Sequence, residues 1–214
     1  MKYQKKTGMS LFEQENTMES LSKMGNPLVL LKEIVDFEQF RDELEKLFAN
    51  DSKKNNAGRK PIDPVFMLKV LFLQRLYNIS DNQVEYQIKD RMSFREFLDI
   101  YSVDDVPDEK TVWKYKNIMA NAGIGIKLFE KFNEQLASIG LIVNEEQKEN
   151  NRVKSKTRCR IEQVYGFMEQ SMKGLFFRGV GMVRATFYIG FTNLVYNMCR
   201  LVQIKRYHSD WIMN

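Results

Sequence analysis

Apolar residues recur at helical spacing along most of the chain, and polar or turn-forming stretches separate the apolar segments. A first helix is predicted after Asp36, and residues 50–58 are typical of an exposed linker. Before about residue 26 the pattern is weak and polar, which indicates a flexible arm. The Asp63-Pro64 pair predicts the start of a second helix, because Asp is a favoured N-cap and Pro fits the first turn.

Two capping-box patterns follow closely along the chain. Ser80 with Gln83 and Ser93 with Glu96 each predict the start of a short helix. Two short helices with a tight junction are compatible with a helix-turn-helix, the motif that places a helix in the major groove of DNA. Any compact helical domain contains such pairs, so the spacing alone does not separate a DNA-binding motif from ordinary packing.

Residues 108–121 predict a further amphipathic helix, whose polar face carries candidate DNA-binding side chains. Lys110, Lys114 and Asn117 share this face, opposite the apolar residues. Lysines can contact phosphates, and an asparagine amide can pair with the edge of an adenine in the major groove. The alternative is a solvated helix face, which the spacing by itself favours.

Two glycines, Gly123 and Gly140, stand where helix ends are expected and bracket another helix. Residues 141–143 begin like a buried strand but run at once into a strongly polar stretch. A last long helix is predicted from about Val180 to Ile204, and polar residues interrupt its apolar stripe. That helix is therefore expected to pack in a core and not to span a membrane.

Charge is distributed unevenly along the 214 residues, whose formal net charge is +5. Residues 1–150 hold 22 basic and 25 acidic side chains, a net charge of −3, whereas residues 151–214 hold 11 basic and 3 acidic, a net charge of +8. A basic end of this kind indicates a polyanionic partner, although a solvated basic surface gives the same count. The candidate DNA-binding cations in this part are Arg152, Lys154, Lys156, Arg158 and Arg160.

Candidate metal ligands are scarce. The chain has two cysteines, Cys159 and Cys199, and one histidine, His208, which cannot assemble a zinc site of the usual spacing. No metal is therefore expected. A signal peptide or a run of about 18 apolar residues is also missing, which indicates a cytoplasmic protein with no membrane partner.

Two longer blocks stand out: residues 58–117, from GRKPIDPV to VWKYKN, and residues 158–200, from RCRIEQVYGFMEQ to VYNMCR. They resemble the N-terminal region and the C-terminal end of bacterial insertion-sequence transposases of the DDE type, specifically the insertion-sequence-five group. The resemblance implies a protein that binds the terminal inverted repeats of double-stranded DNA. It also implies an RNase H-like sheet that cuts and joins strands with two magnesium ions, which two Asp and one Glu hold.

The chain departs from that family in its catalytic carboxylates. Glu162 matches the family's glutamate, but Glu169 stands where a basic residue is expected, and no Asp lies between Asp108 and Asp210. The resemblance then implies that most of the sheet is deleted, that Glu162 is a remnant or a capping or salt-bridging residue, and that no cofactor is needed. The upstream acids are expected to be caps and solvated positions: Asp81, Asp90, Asp99, Asp104, Asp105 and Asp108.

These observations predict a mainly α chain, in which a multi-helix DNA-binding region joins a C-terminal helical segment and the RNase H-like sheet is largely missing. The predicted division is an N-terminal arm, helix and linker (1–57), a helical DNA-binding domain (58–143), a basic junction at the deletion (144–160) and a C-terminal remnant of the catalytic domain (161–214). The functional hypotheses concern the last three of these parts.

The first hypothesis is a truncated transposase that binds terminal inverted repeats without cutting them, in the bacterial cytoplasm and on the nucleoid when DNA-bound. A second is a helical regulator that associates with intact transposase, or with itself, and inhibits assembly. In a third, a partner supplies the missing carboxylates in trans. In a fourth, the chain is a decayed reading frame that aggregates through exposed apolar faces.

Overall fold

The computed structural model describes residues 25–48, 62–102, 105–138 and 181–207, with six further residues at positions 16, 17, 19, 20, 23 and 172. All regular secondary structure in these ranges is helical, which confirms the predicted mainly α class. The predicted linker at 50–58, the helix end at Gly140 and the strand at 141–143 lie outside them. The helices are α1 (Pro27–Ile34), a 3₁₀ helix (Glu38–Phe40), α2 (Arg41–Phe48), α3 (Pro64–Leu76), α4 (Asp81–Asp90), α5 (Met92–Leu98), α6 (Glu109–Asn121), α7 (Ile124–Ser138) and α8 (Met182–Tyr207).

Helix α3 is the central helix of the fold. Most of its residues are buried, including the polar Gln74 and Arg75. A helix that is buried all round lies inside a domain, and α3 packs against α2, α5, α6 and α8. Phe72 of α3 lies edge-on to Phe37, with ring centroids 5.5 Å apart, and both rings contact Phe97 of α5. Burying a ring of this size stabilises the fold by about 1.5–3 kcal/mol.

Local signals fix several helix ends. The Asp63 carboxylate accepts a hydrogen bond from a backbone N–H two residues later, at 3.1 Å, and Pro64 opens the first turn, which confirms the predicted start of α3. Asn26 and Pro27 begin α1 in the same way, although the apolar pattern did not predict this helix. Gly123 follows α6 with a positive φ of 62°, as expected of a residue that ends a helix.

The two predicted capping boxes have different outcomes. Ser80 is the N-cap residue of α4, but its side chain makes no capping hydrogen bond and contacts Asn82 instead. The second box is wrong, because α5 begins at Met92 and Ser93 lies inside the helix. Extended Arg91 both ends α4 and precedes α5. One residue serves both helices, so the junction has no separate cap at Ser93.

Helix α8 connects distant parts of the domain. It spans 26 residues, about 39 Å at 1.5 Å per residue, and it contacts α1, α3, α6 and α7. It begins and ends slightly later than predicted, at Met182 and Tyr207. Where it crosses α7, a Cβ added to Gly190 would lie 3.3 Å from the backbone of Gly125. No helix in the described ranges is long and apolar enough to cross a membrane.

Candidate nucleic-acid interface

Helix α6 begins with a complete cap, and one of its faces is exposed. The Asp108 carboxylate accepts a hydrogen bond from the Thr111 N–H at 2.8 Å, which confirms Asp108 as a cap. Lys110 and Lys114 lie one helical turn apart and are both exposed, as the periodicity predicts. Trp113 borders this face with 51 % of its surface exposed. Two cations and a large aromatic ring therefore share the open face of α6.

Asn117 lies almost one turn further along α6, but only part of its side chain is exposed. Its Nδ2 atom is inaccessible to solvent and has no hydrogen-bond partner within the described residues. An unsatisfied buried amide of this kind lowers the free energy of unfolding by about 1–3 kcal/mol. Asn117 is therefore less open to a DNA base than Lys110 and Lys114, although it lies on the same side of α6.

A cluster of polar contacts holds α6 against the rest of the domain. The Lys116 ammonium pairs with the Asp81 carboxylate of α4, and the Gln74 amide of α3 donates to the same carboxylate at 2.5 Å. The side chains of Lys116 and Asp81 are only 12 % and 25 % exposed. Nearby, the Tyr115 hydroxyl donates to the Ile62 carbonyl at 3.0 Å. These contacts fix the direction in which the open face of α6 points.

The expectation for Asp81 was therefore wrong, since its carboxylate neither caps a helix nor stands free in solvent. It lies in the first turn of α4, yet it reaches α6 and a buried part of α3. Asp99 ends α5 with a positive φ of 59° and pairs with lysines of α1 and α3. Asp90 and Asp105 are exposed as expected, and Asp104 lies outside the described residues.

A narrow cleft, which we call the α6–α8 cleft, separates α6 from the first turns of α8. The Asp81–Lys116 ion pair contributes to its lining, and the Lys116 Nζ lies 5.9 Å from the centre of the Tyr188 ring. Its other lining residues are Trp113, Asn117, Ala120, Arg184 and Phe187. The cleft therefore combines aromatic surface, an amide and a guanidinium.

The predicted helix-turn-helix pair corresponds to α4 and α5. The two helices pack against each other across the tight junction at Arg91. Every residue of α5 is at least partly buried, and Phe94, Phe97 and Leu98 belong to the core. Helix α5 therefore has no fully exposed residue, whereas α6 has an open face.

Other predicted site residues cannot be placed in this surface. Within the part of the chain that is described, no group of three or more His, Cys, Asp or Glu side chains is placed to hold a metal ion. The predicted site residues that lie outside the described ranges are Arg152, Lys154, Lys156, Arg158, Arg160 and Glu162.

Part of the chain matches a known protein family. Residues 16–117 match the family model described as transposase domain (DUF772). The match covers just under half of the chain and ends at Asn117, so it includes the open face of α6 and leaves out α8. No solved structure matches the chain. The α6–α8 cleft thus has one wall inside the matched region and one wall outside it.

Three features of this surface were not predicted from the sequence. Trp113 stands next to Lys114, and an exposed aromatic ring beside cations is a signal that the helical periodicity could have given. Arg184 and the Asp81–Lys116 pair are different, because they meet α6 from segments far away in the chain. No local spacing reveals such contacts.

Proposed function

We propose that this chain is a truncated transposase that binds double-stranded DNA at the terminal inverted repeats of an insertion sequence and does not cut the strands. A transposase domain implies an interaction with DNA in general. The observation that carries the proposal is the exposed pair Lys110 and Lys114, which lies on α6 inside the matched region. Ammonium groups on an open helix face are suited to phosphate oxygens.

Each predicted residue has a role in this proposal. Lys110 and Lys114 contact phosphates, and Asn117 reads an adenine after its side chain turns outward. The basic run at residues 152–160 contributes five further cations to the same duplex. Each phosphate contact releases condensed counterions, so binding weakens as the salt concentration rises.

The loss of cutting rests on the resemblance to DDE transposases. Two-metal strand cleavage needs carboxylates from several elements around one pair of ions. In this sequence Glu162 is the single carboxylate that matches the family's set, and no Asp lies between Asp108 and Asp210. Glu162 is therefore a remnant, and the chain binds without using magnesium.

A binding titration tests this function. Fluorescence anisotropy measures the affinity of the purified chain for a duplex with the terminal inverted repeat and for a scrambled duplex, at several salt concentrations with magnesium present. We expect binding that prefers the repeat and DNA strands that stay intact on a denaturing gel. No binding at low salt, or nicks that depend on magnesium, would contradict the proposal.

Lysine variants locate the contact. Replacing Lys110 and Lys114 with Ala lowers the slope of log Kd against log salt by about 1.8, because each phosphate contact contributes about 0.9. The loss of affinity is the same for both duplexes, since phosphates carry no sequence information. The matched control replaces two other exposed lysines, Lys127 of α7 and Lys205 of α8, and keeps the original slope.

Exposed apolar side chains favour a second function, association with intact transposase or with another copy of the chain. Ile126 at the start of α7 is 44 % exposed, and Met182, Val183 and Ile189 in the first half of α8 are 52–81 % exposed. Large exposed apolar areas are typical of association surfaces. Co-sedimentation with the intact enzyme in the absence of DNA would support this alternative, and independent sedimentation at micromolar concentrations would contradict it.

A further inference from the structure

The charge around α6 differs between its two ends. Asp108 and Glu109 lie at the N-terminal end, where both are exposed and offset part of the positive charge of Lys110. From Lys114 to the end of α6 the helix carries no acid. This acid-free part of α6 borders α8.

The first turns of α8 also carry positive charge beside the cleft. Between Met182 and Cys199 the helix holds one charged side chain, the cation Arg184. Arg184, in the first turn, lines the α6–α8 cleft opposite Trp113 and Asn117. The acid in that cleft, Asp81, is already paired with Lys116. Arg184 thus lies beside the residues of α6 that line the cleft.

The cleft also offers groups that can distinguish bases. Trp113 exposes about half of a large flat ring at its edge, and such a ring can pack against a thymine methyl group. The Asn117 amide, whose Nδ2 has no partner within the described residues, faces the same cleft. When the Asn117 side chain turns outward, as the proposed function requires, a base edge in the cleft would provide that amide with a hydrogen-bond partner.

We infer that the DNA-contact surface extends across the α6–α8 cleft, with Arg184 holding a phosphate of duplex DNA and Trp113 setting sequence preference by apolar contact with a thymine methyl group. This inference rests on the proposed function, and it assigns α8, which lies outside the matched transposase domain, to DNA binding. The cleft then aligns Arg184 with Lys110 and Lys114 along one duplex.

Arginine variants test the phosphate contact. Arg184→Ala is expected to weaken binding to both duplexes about fivefold at physiological salt and to lower the salt slope by about 0.9. The matched control is Arg200→Ala, on the same helix 16 residues later and about 24 Å away. The control keeps the affinity and the slope of the unchanged chain.

Tryptophan variants test the apolar contact. Trp113→Ala is expected to reduce the preference for the repeat over the scrambled duplex by about 5- to 150-fold, the range for one lost base contact, and Trp113→Phe restores part of it. As a second measurement, Trp211→Phe leaves Trp113 as the single tryptophan. Its fluorescence should then be shielded from acrylamide when duplex DNA is added.

The outcomes separate this inference from the proposed function. If the unchanged chain binds neither duplex at low salt, both fail. If the unchanged chain binds and the Lys110 and Lys114 variant lowers the salt slope, the proposed function stands. If, in addition, Arg184→Ala behaves like Arg200→Ala and Trp113 remains open to acrylamide, the inference alone is overturned. Circular-dichroism melting of each variant shows that a loss of binding does not come from unfolding.

Discussion

The Asp81–Lys116 ion pair should contribute measurably to stability, because it joins α4 to α6 in a mostly covered position. Asp81→Ala leaves the Lys116 ammonium, which is only 12 % exposed, without its carboxylate, and the Gln74 amide loses the same acceptor. Breaking a fully buried pair costs about 3–5 kcal/mol, whereas an exposed pair contributes up to about 1 kcal/mol. With side chains 12 % and 25 % exposed, the expected loss is about 2 kcal/mol.

Urea unfolding followed by circular dichroism measures this loss. For an m-value of about 2 kcal/mol/M, the midpoint should fall by about 1 M urea. The matched control is Asp90→Ala, which removes an exposed acid from the other end of α4 and should change the midpoint little. In a double-mutant cycle, Lys116→Met should recover part of the stability lost in Asp81→Ala, since it removes the unpaired charge. Equal midpoints for the two Asp variants would refute this reasoning.

Three other changes have expected outcomes. Gly125→Ala should lower the free energy of unfolding by about 1–3 kcal/mol, because the new Cβ would lie 3.1–3.2 Å from the Phe187 ring and carbonyl; an unchanged urea midpoint would contradict this. Asp108→Ala should cost about 1 kcal/mol by removing the cap on the Thr111 N–H, and full retention of the melting temperature would count against it. Burial raises the pKa of Cys199 to about 12, so in a Cys159→Ser background its reaction with a thiol reagent at pH 8 should be far slower than that of free cysteine. The same shift implies that the contribution of the Cys199 thiol to the free energy of unfolding is fully present below about pH 9 and lost as pH rises toward 12. A rapid reaction of Cys199 with the reagent in the folded protein would be inconsistent with the raised pKa.

Local chemistry explains the parts that the sequence determined by itself. The Asp63-Pro64 pair starts α3 because a cap and a fixed φ act within one turn. Periodicity placed Lys110 and Lys114 on an exposed face, since residues three or four apart share one side of a helix. The same periodicity predicted the mainly α class. The contacts of Lys110 and Lys114 with DNA remain predictions.

Only the tertiary structure decided the features that depend on distant segments. Asp81 follows a capping signal in the sequence, yet its carboxylate pairs with a lysine 35 residues away. Ser93 fits a capping box, but the tight junction at Arg91 starts α5 earlier. Arg184 lies beside α6 because α8 packs closely across α7, where Gly190 approaches Gly125. Local spacing contains no information on which helices meet, because the packing of the whole core determines those contacts.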